Sequence, residues 1–156
     1  MLVADVAAAS EAVAGTSARR AKVELLAACV DVLKGWRWER RPVAVATVPS
    51  RSRPALVHSV GEHLATLGRL AWLGPLGTAG DGPRGRPGGN SAFRLADLWE
   101  AFAPTPEQVR ALAGLDGPVL LVDDLADSRW TVTVAGRALR QAGAPEVLPF
   151  VLAVPA

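Results

Sequence analysis

Residues 117–143 constrain the fold of this chain more than any other stretch. Val119, Leu120, Leu121 and Val122 form an unbroken apolar run introduced by Gly117 and Pro118. A short run without polar alternation describes a strand covered on both faces, and such strands belong to parallel sheets flanked by helices. Asp123 and Asp124 follow at once. Asp127, Ser128 and Thr131 are residue types that cap or open helices. Val132, Ala135 and Leu139 then recur at helical spacing, and Gly143 suits the stop. The stretch reads as strand, acidic loop, helix.

Such a turn is a place for a ligand. In open α/β sheets ligands sit beyond the carboxyl ends of strands, and helix N-termini attract phosphate. Carboxylates accept hydrogen bonds from sugar hydroxyls. The backbone N–H groups of residues 127–131, with the Ser128 and Thr131 hydroxyls, suit a phosphate. The helix dipole adds about 0.3–1 kcal/mol, and ~2 kcal/mol if partly buried. A sugar phosphate matches both halves.

The rest of the chain repeats the pattern. Residues 1–14 suggest a weakly amphipathic helix through Val3, Val6 and Val13, broken at Gly15. A clearer helix spans roughly 18–34, with Val23, Leu26, Val30 and Leu33 as its stripe and Gly35 as its stop. Val43–Val48 reads as a buried strand and Pro54 as a helix start, with Leu56, Val60, Leu64 and Leu67 forming an apolar face and Gly68 an end. Leu70–Leu73 is the next strand. Residues 74–90 are rich in Gly and Pro and carry Arg84 and Arg86, so a long mobile loop is expected. A helix is expected over 91–102, a short one from Thr105–Pro106 to Ala113, and a last strand over 147–154. Pro149 there argues for a sheet edge or a bulge. The fold class is α/β: an open, mostly parallel sheet with helices on both faces and an irregular hood at about 74–102. Residues 1–38 form an N-terminal helical segment and 39–156 the α/β domain, one compact unit overall.

Thr47, Pro49, Ser50, Arg51 and Arg53 make a second candidate ligand loop after a strand. Between residues 37 and 53 five arginines face one glutamate, Glu39. Hydroxyls, guanidinium groups and backbone N–H groups in one turn suit a diphosphate. Fifteen of the seventeen basic residues are Arg; coding bias and phosphate recognition account for this equally well.

Several classes fall away. No run approaches the ~18 apolar residues of a membrane span. Residues 1–14 carry Asp5 and Glu11 and lack a basic start, so a secretory leader is not expected. A single cysteine, Cys29, excludes an internal disulfide and fits a cytoplasmic location; its helical apolar setting marks it as a packing residue. His58 and His63 are five apart, the wrong spacing for paired ligands on one helical face, so both are expected to face solvent. Lys22 and Lys34 are the only lysines, and neither lies in a Gly-x-x-x-x-Gly-Lys-Ser/Thr loop, which removes a Walker-type ATPase. A phosphoacceptor receiver would carry its acidic pair near the first strand. A bare Mg²⁺ site on Asp123 and Asp124, or two acids merely ending a strand, remain open.

The stretch 119–131 resembles the PRPP-binding signature of type I phosphoribosyltransferases, where PRPP is phosphoribosyl pyrophosphate. The match runs through Val119–Val122, Asp123, Asp124, Ser128 and Thr131; Arg129 stands where that family usually has Gly. The resemblance implies that Asp123 and Asp124 hold the ribose, and that Asp127, Ser128, Arg129, Trp130 and Thr131 form the 5′-phosphate loop. It further implies that Thr47–Arg53 holds the pyrophosphate, and that the loop with Arg84 and Arg86 covers the site. Mg²⁺ would arrive with PRPP, without a dedicated set of protein ligands. Trp130 would pack over the ribose or anchor its loop in the core.

A narrower resemblance rests on Trp38–Pro42, Val48–Arg51, Gly68–Leu70, Asn90–Leu95 and Pro118–Asp124. These blocks look like the C-terminal phosphoribosyltransferase-like region of some RecQ-type ATP-dependent DNA helicases. The favoured reading is a domain that binds PRPP or a nucleotide 5′-phosphate and serves such a helicase. Alternatives are an active phosphoribosyltransferase acting on a base and a DNA-contacting module built on Trp36, Trp38 and the arginines.

Overall fold

The computed structural model of the chain describes residues 2–3, 18–79, 99–125 and 129–154. Its elements in chain order are β1 (Leu2–Val3), α1 (Ala18–Gly35), β2 (Ala44–Thr47), α2 (Pro54–Gly68), β3 (Ala71–Pro75), α3 (Pro106–Ala113), β4 (Val119–Leu125), α4 (Trp130–Gln141) and β5 (Val147–Ala153). The strands form one sheet in the order β1-β5-β4-β2-β3, and every pairing is parallel. No helix among the described residues is long and apolar enough to cross a membrane.

Helices cover both faces. On one side Val45, Leu120, Val122 and Phe150 pack with Cys29 of α1 and Val60, Leu64 and Ala65 of α2. On the other, Ala44, Ala46, Val119 and Leu121 pack with Leu112 of α3 and Val132, Ala135 and Leu139 of α4. This two-sided burial is what the uninterrupted run 119–122 required. Each fully buried Val, Leu or Phe side chain contributes about 1.5–3 kcal/mol. The alanines of β2 leave room for close helices, and Gly61 is where α2 comes nearest. A Cβ on Gly61 would collide with Thr47 Cγ2 and stand 2.8 Å from the Trp72 ring.

Several expectations shift. Leu2–Val3 is a strand beside Phe150 and Val151, where a helix was expected; residues 4–17 lie outside the described set. On α1 the buried face centres on Cys29, with Leu25, Leu26, Val30 and Leu33 packed around it. Val23 is 61% exposed, since it lies about 120° round the helix from Cys29. On α2 the buried face is Val57, Val60, Gly61, Leu64 and Ala65, and Leu67 is 57% exposed. The inward stripe is rotated towards the small residue Gly61. β3 runs on to Pro75, with a register irregularity opposite Val45 and Ala46 and Gly74 at φ 75°. β3 therefore takes in Gly74 and Pro75, which were expected to belong to the irregular hood. Trp99 and Glu100 form a turn and Phe102 bridges Thr78, so the helix expected to 102 is absent over 99–102; residues 80–98 lie outside the described set. Pro149 pairs with Leu121 of β4, but β1 reaches only Phe150 and Val151. On its other side Pro149 lies beyond β1, where a missing N–H costs nothing.

Candidate functional site

The crevice follows from strand lengths. β2 ends at Thr47, paired with Val122, while β4 continues to Leu125 beside β5. Asp123 and Asp124 thus project past the end of β2. They are the fifth and sixth residues of a seven-residue strand, not part of a loop. From β2 the chain passes to β3 on one side; from β4 it passes to β5 on the other. The gap between β2 and β4 is therefore the switch point where open α/β sheets bind ligands.

Strand alternation separates the two acids. Leu120 and Val122 pack on the α1–α2 side, so Asp124 falls on that side, above the N-terminus of α2. Asp123 follows Val119 and Leu121 to the α3–α4 side. The loop between β2 and α2 closes on Asp124: Ser50 Oγ donates to Asp124 Oδ2 across 3.0 Å, and Ser52 Oγ donates to the same oxygen across 3.3 Å. Ser50 Oγ also accepts from the Arg53 backbone N–H at 3.0 Å, which folds the loop back just before Pro54 opens α2. Val48 N donates to Val122 O, anchoring the loop's first residue to β4.

Both carboxylates are buried, Asp123 at 3% exposure and Asp124 at 8%. Asp123 Oδ1 accepts from the Asp124 backbone N–H at 2.9 Å. Burial, and then the neighbouring Asp124 charge, push the Asp123 carboxyl up to about 7. It titrates near neutrality, while Asp124 faces the hydroxyls. An adjacent pair with such unequal surroundings can offer an acceptor beside a group able to hold or release a proton.

Of the expected pyrophosphate residues, Thr47 is buried, Pro49 and Ser50 are half-buried, and Arg51 and Arg53 are exposed. Beside them lies a cleft of about 410 Å³ whose walls include Thr47, Ser50, Pro54, His58 and Pro75. On the opposite bank Arg129 caps α4 at φ 61° and ψ −9°. This is the left-handed turn that favours Gly, held here by an arginine. Trp130 packs against the α3–α4 core, and Thr131 is half-buried in the first turn. Asp127, Ser128, Arg84 and Arg86 lie outside the described residues. Trp36 and Trp38 sit at the other end of the sheet, before Pro42 and β2, and do not reach the site. His58 and His63 are exposed, as expected. Cys29 is fully buried, and burial raises its thiol to about 11. Among the described residues no three His, Cys, Asp or Glu side chains gather as metal ligands.

Gln108 carries a role not assigned to it from the sequence. Its Nε2 donates to Leu73 O and Pro75 O, both at 2.9 Å, and its Oε1 accepts from Gly77 N and Thr105 N. One buried amide thus holds the carboxyl end of β3, the rim of the crevice, to the start of α3. The signal was present in Thr105-Pro106-Glu107-Gln108, whose ends form a capping box.

The fold is shared with a solved structure, glutamine phosphoribosylpyrophosphate (PRPP) amidotransferase from B. subtilis complexed with ADP and GMP. The two chains are 21% identical with a TM-score of 0.51 over 86% of this chain, which spans 26% of that protein. No family model and no curated protein matches the chain. The likeness shows a shared α/β fold.

Proposed function

We propose that this chain binds PRPP, or the ribose 5-phosphate part of a nucleotide, in the crevice between β2 and β4. The observation that carries the reading is the meeting of Asp124 with Ser50 and Ser52 at that switch point. It sets a ribose-type acceptor against a hydroxyl- and arginine-bearing loop suited to a diphosphate.

In this reading Asp124, helped by Asp123, accepts hydrogen bonds from the ribose hydroxyls. The backbone N–H groups of 127–131 with Ser128 and Thr131 take the 5′-phosphate, and Arg129 adds a cation at the start of α4. Ser50, Arg51, Arg53 and the amides from Thr47 take the diphosphate, drawing the two serine hydroxyls off Asp124 as the ribose arrives. Arg84 and Arg86, outside the described residues, would add cations from a covering loop, as the resemblance implies. The oxygen donors here fit a hard cation that brings further ligands of its own; Mg²⁺ bound with PRPP would neutralise diphosphate charge. The sequence blocks that resemble the helicase region extend the proposal to an accessory role beside a RecQ-type DNA helicase in the cytoplasm.

An active phosphoribosyltransferase is the second reading. Arg129 favours it by keeping the turn that Gly makes in that family, and Asp123 by titrating near 7. Catalysis there needs charge stabilisation and closure more than side-chain chemistry.

The test is thermal unfolding with and without saturating Mg²⁺-PRPP. Ligand at a hundred times Kd stabilises by about 2.7 kcal/mol, a rise of roughly 5–10 °C for a domain this size. The rise should fall by at least half in Asp124→Asn. No rise in the parent chain overturns the proposal; a release of pyrophosphate with a added base would select the second reading.

A further inference from the structure

The opposite end of the sheet carries a second feature, unconnected with the carboxylates. An open groove of about 330 Å³ runs between the C-terminal ends of α1 and α2, beneath the connector into β2. Its floor is aliphatic: Val30, Leu33, Leu64 and Leu70, with Leu120 at the base. Leu67 and Trp36 stand on its rim, 57% and 43% exposed. Two large apolar side chains left in water at the edge of an apolar cleft mark a contact surface. Among the described residues the groove's charged lining residues are Lys34 and Arg41, both cations. Arg37 lies between the two lining tryptophans and Arg69 between lining residues 68 and 70, so the surrounding chain is basic as well; Glu39 is the acid in that connector.

We infer that this groove docks an acidic segment of a partner protein, one that inserts large apolar side chains flanked by carboxylates. Charge complementarity selects the partner: carboxylates meet Lys34 and Arg41 while the apolar anchors fill the aliphatic floor. A second copy of this chain fits poorly, because a two-fold contact would set Lys34 and Arg41 against their own copies. Nucleic acid fits poorly too. The two tryptophan rings are tilted by 53° at 6.4 Å and offer no flat platform. The Trp38 indole N–H is already donated to Leu33 O at 3.1 Å. The floor between them is branched aliphatic carbon, which does not stack on bases.

A random dodecapeptide display library panned against the whole chain tests the inference, followed by anisotropy titrations of the enriched peptides. Enriched sequences should combine Asp or Glu with Leu, Ile, Phe or Trp. They should bind at least tenfold more weakly to Leu67→Asp and to Lys34→Glu/Arg41→Glu, and tighten at low salt. Leu67, Lys34 and Arg41 are exposed, so these variants should keep the parent's thermal midpoint; Trp36→Ala supplies an independent apolar lesion. Failure to enrich an acidic-apolar class, or equal binding to parent and variants, overturns the inference. So does an oligothymidylate of fifteen nucleotides that binds the parent and is lost in the same variants, which would give the groove to nucleic acid.

Discussion

The Ser50 hydroxyl donates to the Asp124 carboxylate across 3.0 Å, although the two residues are 74 positions apart in the chain. That bond joins the end of β2 to the end of β4 and defines the crevice. Its geometry rests on β4 outlasting β2 by three residues, which lifts the acids clear of their neighbour strand. Everything proposed for ligand binding depends on this offset.

Asp123 should make stability fall as pH rises. Its folded carboxyl titrates near 7, against an ordinary value of 3.8. The folded chain therefore holds a proton that the unfolded chain has lost between those values. The stabilisation is complete below about pH 4 and is lost as pH climbs through 7. At 1.36 kcal/mol per unit the whole effect is roughly 4 kcal/mol. Asp123→Asn removes the charge and keeps an acceptor for the Asp124 N–H. Its thermal midpoint should exceed the parent's at pH 8, with a flatter profile between pH 4 and 8. Parallel profiles would contradict the burial of that charge.

Gln108→Ala should be the costliest substitution outside the hydrophobic core. It strips partners from two carbonyls and two N–H groups at the rim of the crevice. Unmatched buried polar groups cost about 1–3 kcal/mol each, and water reaching the rim will recover some of that. A loss of about 2–4 kcal/mol in urea unfolding is expected. A loss below about 1 kcal/mol would mean that the amide is not a clasp.

Arg129→Gly should stabilise the chain. A left-handed residue with a Cβ costs about 1–2 kcal/mol, while added glycine freedom in the unfolded state returns part of it. A net gain of about 0.5–1 kcal/mol is expected in denaturant unfolding. A net loss would show that the Arg129 side chain makes a contact worth more than its backbone strain.

Gly61→Ala should destabilise by about 1–3 kcal/mol, the usual cost of overpacking. The added methyl meets Thr47 and the Trp72 ring with no flexible tip to yield. Because Thr47 ends β2, the same change should also weaken ligand binding. Wild-type stability in this variant, read by urea unfolding, would place α2 farther from the sheet.

The sheet, its helices and the place of the acid pair behind the apolar run were legible because their signals are local, although the two acids belong to β4 itself rather than to a loop. An apolar run, two acids and a helical stripe mark β4 and α4 without reference to the rest of the chain. Non-local relationships were not legible. The hydrogen bond between Ser50 and Asp124 depends on how far β4 outruns β2, and no periodicity encodes that. The exposure of Val23 and Leu67 depends on where each helix meets the sheet, which a helical stripe alone does not fix. Leu2 and Val3 are too short a run to read as a strand; they become one only because β5 offers a free edge. Gln108 was legible as a cap in Thr105–Gln108, but its grip on Leu73 and Pro75 required the folded chain.

The central claim is that Asp124 and the Ser50 loop form a PRPP site, and calorimetric titration of Mg²⁺-PRPP tests it most directly. The parent chain should bind one equivalent. Asp124→Asn, which keeps the size and an acceptor but removes the charge, should lose at least tenfold in affinity, or about 1.4 kcal/mol. Equal binding by parent and Asp124→Asn, or no binding by a folded parent chain, would contradict the account.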